Sequence, residues 1–145
     1  QMAGNKSVIE LHGNQRGSVC LDCEKVYPLE EVLKMLKEQE LDLSCEVCGD
    51  IIKPTIVFFG EPMPEKELLM TQQIANKCDF MFVIGTSLQV EPAASIPRIA
   101  YQNGAKLIFI NKVLTEWDWI AEIIFYDSAG KVLKDILDVI KSEKI

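Results

Sequence analysis

Apolar and polar positions alternate with two different periods along the chain. In the first third, Leu29, Val32, Leu33 and Leu36 recur at i, i+3, i+4 and i+7 behind Pro28. That spacing predicts a helix over 28–40, with Pro28 at its first position. A short apolar run over 8–11 predicts a strand that ends at His12. From Thr55 onward, compact apolar runs alternate with helical stretches. The runs TIVFF (55–59), FMFVI (80–84), KLIFI (106–110) and EIIF (122–125) have strand length and β-branched or aromatic composition. Between them, 64–77 reads as a helix with Leu68, Leu69, Ile74 and Ala75 as core positions, and 92–103 as a helix stopped by Gly104. Ser128 is a candidate cap for a last helix in which Val132, Leu133, Ile136, Leu137 and Ile140 repeat at helical spacing.

Short buried strands separated by helices imply an α/β fold, a Rossmann-like parallel sheet covered on both faces. Ligands of such sheets bind beyond the carboxyl ends of the strands. Those ends are Phe59-Gly60-Glu61, Gly85-Thr86-Ser87, Asn111 and Asp127-Ser128-Ala129-Gly130. Small and hydrogen-bonding residues gather there, as a nucleotide site needs. The same residues are ordinary turn formers, so the loops alone leave both readings open.

Composition narrows the field. With 145 residues, 48% of them hydrophobic, the chain has material for one modest core, and an aromatic share of 8% makes that core mainly aliphatic. No apolar stretch approaches the roughly 20 residues of a membrane helix. Fifteen basic against 22 acidic residues give a net charge of −7, spread over both halves, which disfavours binding through nucleic-acid phosphates. The chain starts QMAGNKSV, with neither an initiator Met nor a charged-then-apolar targeting pattern.

Four of the five cysteines form two Cys-x-x-Cys pairs, Cys20/Cys23 and Cys45/Cys48, with positions 24–44 between them. Each pair brings two sulfurs near one point, and two pairs complete a tetrahedral zinc site. The gap slightly exceeds the usual template, and the helix expected over 28–40 accounts for the excess. Disulfides fit less well, because no secretion signal is present and the pairing is too regular. A thioredoxin-like dithiol needs one such pair opening a helix, not two. Four thiolates leave no open coordination position, so the ion holds the fold and performs no chemistry. Cys78, alone before an apolar strand, is expected as a buried core thiol.

His12 is the only histidine. Imidazole titrates near neutrality, so a histidine at a strand end can serve as a general base, or simply as a hydrogen-bonded structural residue. No glycine-framed nucleophile accompanies it, which leaves a hydrolase triad without support.

Taken in order, AGNKSVIELHG, the two Cys-x-x-Cys pairs, KPTIVFFGEPMP, VIGTSLQVEPAAS and LIFIN closely resemble the sirtuin family of NAD-dependent protein deacylases, from about residue 3 to about residue 137. The resemblance implies that His12, in the LHG motif, is the general base that takes a proton from a ribose hydroxyl of NAD. The acyl group then passes from acyl-lysine to ADP-ribose with release of nicotinamide. It implies that Cys20, Cys23, Cys45 and Cys48 bind one structural Zn²⁺. Val57, Phe59, Gly60 and Glu61 would line the acyl-lysine path, and Val90, in the loop 88–91, would flank the substrate peptide from the other side. Gly85, Thr86 and Ser87 would hold the adenosine half of NAD, with Asn111 and Lys112 at its ribose and Ala129 by the adenine.

The sirtuin glycine-rich GAG…GIPDFR stretch and the TQNID…LH segment do not occur in these 145 residues, nor does a GxGxxG substitute. The expectation is therefore the later part of a sirtuin, inactive by itself. It would comprise a partial NAD- and peptide-binding domain (1–15 and 55–145) and a zinc module (16–54). The competing expectation is a non-catalytic, zinc-containing module that binds acyl-peptides. Partners would be acyl-lysine proteins or peptides, not membranes or specific nucleic acids. Thiolate zinc ligands imply a reducing compartment, hence the cytoplasm.

Overall fold

The computed structural model describes residues 1–38 and 43–143. The chain divides into two compact units, Gln1–Leu68 and Leu69–Ile145.

The first unit is built on an antiparallel sheet of order β2-β1-β3, with β1 Gly13–Cys20, β2 Val26–Pro28 and β3 Ile52–Ile56. Helix α1, Leu29–Glu38, follows β2 directly. Pro28 is therefore the last residue of a strand and not the first of the helix, and positions 39–40 of the expected helix lie outside the described residues. The buried stripe of α1 is Val32 and Met35, with Leu36 at its edge; they pack with Cys20, Tyr27, Cys45 and Ile52 into a small core. Leu29 and Leu33, expected in that stripe, are exposed. A 100° step per residue carries them off the arc centred on Val32 and Met35.

Two further expectations are corrected in this unit. The run 8–11 is not a strand: the chain turns there, with the Gly13 amide donating to the Glu10 carbonyl at 2.9 Å. The strand expected over 55–59 ends at Ile56 and pairs antiparallel with β1. Beyond it, a turn closes between the Phe58 carbonyl and the Glu61 amide at 3.0 Å. Strand β1 is irregular between Gly13 and Ser18. The Thr55 hydroxyl bridges that stretch, donating to the carbonyls of Asn14 at 2.9 Å and Gly17 at 3.2 Å. Buried carbonyls that leave a ladder need such partners. Pro54 sits on β3, an outer strand, where a missing N–H breaks no ladder.

The second unit holds a parallel sheet of order β4-β5-β6, with β4 Phe80–Ile84, β5 Lys106–Asn111 and β6 Ile123–Tyr126. Helix α2, Glu65–Ala75, leads into it, α3, Ser95–Gln102, connects β4 to β5, and α4, Ala129–Ser142, follows β6. A single 3₁₀ turn, Asp118–Ile120, precedes β6. Leu107, Phe109 and Ile110 of the central strand form the core with Val83, Ala100, Ala105 and Ile120. The parallel α/β arrangement is the one expected, but its cover is not. Phe80, Phe82, Ile84, Ile123 and Phe125 remain exposed, as do Leu133, Leu137 and Ile140 of α4, because three strands are too narrow to bury every apolar face. On α2, Leu69 and Ile74 are likewise exposed while Ala75 is buried. Cys78 is half-buried, its Sγ 3.5 Å from the Ala75 carbonyl. Among the described residues, no helix is long and apolar enough to cross a membrane.

Candidate functional site

Three side-chain constellations carry chemistry. The first is the cysteine cluster. Cys20 ends β1, and its amide donates to the Lys25 carbonyl at 3.0 Å, turning the chain so that Cys23 faces back. The second pair turns in the same way: the Cys45 amide donates to the Asp50 carbonyl at 2.7 Å, and the Gly49 amide to the Cys45 carbonyl at 2.8 Å. All four sulfurs lie within 4.8 Å of one another, with Cys20–Cys48 at 3.3 Å and Cys23–Cys45 at 3.5 Å. A tetrahedral ion with 2.3 Å Zn–S bonds separates its sulfurs by roughly 3.8 Å, so the donor set fits Zn²⁺. Cys20 and Cys45 are buried, Cys23 and Cys48 exposed.

Tyr27 is fully buried, and its hydroxyl donates to the Cys45 sulfur at 3.0 Å while accepting the Glu46 amide at 3.2 Å. That hydroxyl is the main reason the Cys45 thiol is held down to about 6, helped by the Cys48 and Val47 amides against the opposing effect of burial. At Cys48 the Asp50 amide lowers the thiol. The Cys20 sulfur, burial and the other two sulfurs outweigh it and push Cys48 up to about 12. Four sulfurs this close cannot all carry charge without a cation among them, which is the electrostatic condition of a metal centre.

The second constellation surrounds His12. The imidazole is exposed, at the head of β1. Its segment is held at three points. The Glu10 carboxylate accepts from Asn14 at 2.8 Å and from Arg16 at 2.5 Å, which keeps Glu10 below the usual carboxylate range. Gly13 has φ +68°, and a Cβ there would lie 1.9 Å from the Thr55 carbonyl oxygen, so only glycine allows β1 and β3 to approach so closely. The Val57 amide donates to the His12 carbonyl at 3.0 Å.

Val57 opens the turn that holds the other substrate candidates. Phe59 and Gly60 form its corner, Gly60 with φ +87°, and Phe59 is 97% exposed. Glu61 closes the turn. Its carboxylate accepts from the Phe58 amide at 3.0 Å and pairs with the Lys53 ammonium, and these two contacts, Lys53 foremost, hold it below the usual range.

The third constellation is the carboxyl edge of the parallel sheet. The register Ile84↔Ile110 and Asn111↔Tyr126 brings the ends of β4, β5 and β6 level. Gly85 donates its amide to the Ile110 carbonyl at 3.0 Å, and the Thr86 amide donates to Asn111 Oδ1 at 3.0 Å. Asn111 is buried, and its Nδ2 has no hydrogen-bond partner among the described residues. A buried amide donor left unpaired is costly, and a ligand group at the sheet edge would satisfy it. Thr86, Ser87 and Lys112 are exposed at the same edge, and Ala129 is half-buried at the start of α4. Val90 is exposed in the loop after β4. Beside Ala129, the Asp127 carboxylate accepts from Lys131 and from the Ser128 amide, and so lies below the usual range.

The structure thus brings the four cysteines together, His12 beside Val57, and Gly85, Thr86 and Asn111 together. Tyr27, Gly13, Glu10 and Lys53 were not anticipated. Gly13 carried a signal, a glycine directly after the histidine. A Tyr and a Lys inside short strands carry none, because only the folded partners distinguish them from surface residues.

The chain matches the model of the Sir2 family over residues 1–92. It is 95% identical over 144 residues to an NAD-dependent protein deacetylase of Thermodesulfovibrio yellowstonii, covering 99% of this chain and 56% of that protein. It is 43% identical to NAD-dependent protein deacetylase 1 of Pyrobaculum aerophilum, covering 95% of this chain and 54% of the relative. Among solved structures, Sir2Tm bound to a propionylated peptide superposes with a TM-score of 0.89 at 38% identity, over 94% of this chain and 57% of that one. A Sir2 complex with p53 peptide and NAD⁺ gives the same score and identity, over 94% of this chain and 56% of its own. The chain spans about half the length of the relatives it matches.

Proposed function

The chain belongs to the Sir2 family, and from that premise we propose that it carries the base, the peptide loop and part of the NAD site of an NAD-dependent protein-lysine deacylase. NAD, when bound, supplies the ADP-ribose that receives the acyl group and the nicotinamide that leaves. His12 accepts the proton that this transfer releases; its exposure supports that role, since a base must be reachable by substrate. Val57, Phe59, Gly60 and Glu61, with Val90, meet the acyl-lysine peptide, whose backbone pairing gives affinity with little sequence selectivity. Gly85, Thr86, Ser87, Asn111, Lys112 and Ala129 bind the adenosine half of NAD. Cys20, Cys23, Cys45 and Cys48 hold a closed Zn²⁺ site that stabilises the fold around 16–54.

One observation carries the reading most directly: the Val57 amide bonded to the His12 carbonyl at 3.0 Å joins the proposed base to the proposed substrate loop. The orphaned Nδ2 of Asn111 supports the nucleotide edge. The thiolate ligands support a reducing, cytoplasmic setting.

The test is peptide-dependent release of nicotinamide from NAD by the full-length protein, with an acetyl-lysine peptide as substrate. Activity that falls at least about a hundredfold in His12→Ala supports the assignment. Full activity without the imidazole refutes it. Tight binding of the acetylated peptide with no turnover favours the non-catalytic acyl-peptide module instead.

A further inference from the structure

Lys53 lies on β3, outside every group assigned above, yet its side chain is only 17% exposed. Its ammonium makes three contacts, one with the last residue of β3 and two with the turn that follows it. It donates to the Ile56 carbonyl at 3.1 Å, pairs with the Glu61 carboxylate, and lies 4.7 Å from the centre of the Phe58 ring. Ile56 and Val57 share one peptide group. The carbonyl side of that group is held by Lys53, and its N–H side is held by the His12 carbonyl. Glu61, the second partner of Lys53, also receives the Phe58 amide and closes the turn.

One cation therefore holds the Ile56–Val57 peptide plane, which leads from β3 into the loop and joins it to the histidine segment, together with Phe58 and the closing residue Glu61. A half-buried ion pair with added carbonyl and ring contacts is better fixed than an exposed surface pair, since fewer rotamers and less solvent compete.

We propose that Lys53 is a positioning residue for acyl-peptide binding, holding the 57–61 loop in its binding geometry and in register with His12. The proposal rests on reading that loop as the acyl-lysine site. Lys53 touches neither substrate nor cofactor; it acts through Ile56, Phe58 and Glu61. Loss of the ammonium leaves the loop held only by the Val57–His12 and Phe58–Glu61 bonds, so the peptide must order more of it on binding, and the cost falls on peptide affinity.

The experiment measures KM and kcat of the full-length protein for an acetyl-lysine peptide at saturating NAD, then for NAD at saturating peptide. Lys53→Met keeps the methylene stem and removes the charge. It is expected to raise the peptide KM about tenfold and to change the NAD KM less than about twofold. Lys53→Arg restores a cation beside Glu61 and is expected to recover most of that loss. Glu61→Gln, which cuts the other arm, is expected to raise the peptide KM in the same direction, and, since Glu61 is also placed against the peptide, the double variant to exceed Lys53→Met by less than the product of the two single effects. An unchanged peptide KM in Lys53→Met overturns the proposal while deacylation stands. So does an NAD KM that rises in step, or an arginine variant no better than methionine. Should Lys53→Met fail to fold, Lys53→Gln, which removes the charge but keeps a donor, takes its place, and an unchanged peptide KM there overturns the proposal. Absence of peptide-dependent nicotinamide release by the unaltered protein is the separate failure, that of the underlying deacylase reading, and takes the Lys53 assignment with it.

Discussion

Gly13→Ala is the substitution whose cost the structure defines most closely. Two effects add. The residue has φ +68°, a conformation that costs an L-residue about 1–2 kcal/mol, offset in part by the about 0.4–1 kcal/mol that alanine gains by restricting the unfolded chain. The larger effect is contact. The new Cβ would stand 1.9 Å from the Thr55 carbonyl oxygen and 2.9 Å from its carbon, both backbone atoms that cannot rotate away. Restoring van der Waals distance requires β1 and β3 to part by roughly 1.3 Å. Neither the Val57–His12 bond at 3.0 Å nor the Thr55–Asn14 bond at 2.9 Å survives such a shift. Two hydrogen bonds at about 1 kcal/mol each bring the total to about 3 kcal/mol. For a chain of this size that lowers the melting temperature by about 10 °C. Gly60→Ala is the matched control. Its φ is +87° but no atom lies within 4 Å of the added Cβ, so only the conformational part, about 1 kcal/mol, applies. Urea and thermal denaturation of the two variants isolate the contact effect, and peptide-dependent turnover reports the displaced His12 segment. Equal destabilisation of the two would refute the claim that close strand approach makes Gly13 obligatory.

Three other outcomes follow from the same geometry. Chelation of the metal, followed by thermal melting and a zinc-release indicator, is expected to lower the melting temperature with release of one ion per chain; Tyr27→Phe, which removes the hydroxyl from Cys45, is expected to speed that release while leaving the ion count unchanged. Asn111→Ala is expected to raise the KM for NAD several-fold and to cost about 1–3 kcal/mol in urea denaturation, since the Thr86 amide loses its acceptor; an unchanged KM would remove Asn111 from the cofactor edge. Asp118 resists burial because Thr115 and Tyr126 hydroxyls donate to it at 2.5 and 2.7 Å, and its carboxyl lies below the ordinary value of 3.8. A depressed carboxylate contributes stability that is present above the unfolded value and lost as pH falls through the folded one. Stability against urea in Asp118→Asn is thus expected to fall less between pH 5 and about 3 than in the unaltered protein.

Much of this molecule was legible before any coordinate. Paired cysteines at fixed spacing already define a tetrahedral sulfur site, because the chemistry of the ion restricts which geometries the chain can adopt. The strands Phe80–Ile84 and Lys106–Asn111 were legible for a similar reason: central strands of a parallel sheet are apolar on both faces and stand out as unbroken runs. Gly85, Thr86 and Asn111 could be placed at a strand end from that pattern alone.

What the pattern did not carry was pairing. The run 55–59 has strand composition, but whether it joins a parallel sheet or an antiparallel one depends on a partner 41 residues away, the stretch around Asn14 that Thr55 bridges. The buried face of α1 departs from the sequence spacing at Leu29 and Leu33 because it is set by what lies opposite, a core of Cys20, Tyr27 and Ile52 that exists only once the sheet has formed. Lys53 is the sharpest case. In the sequence it is one of fifteen basic residues. In the fold its ammonium meets a carbonyl, a carboxylate and a ring drawn from residues three to eight positions ahead, because the turn at Gly60 brings Glu61 back to β3. Composition and spacing settle chemistry that is local or metal-directed; tertiary structure alone decides which polar group meets which, since that depends on where backbone turns return the chain.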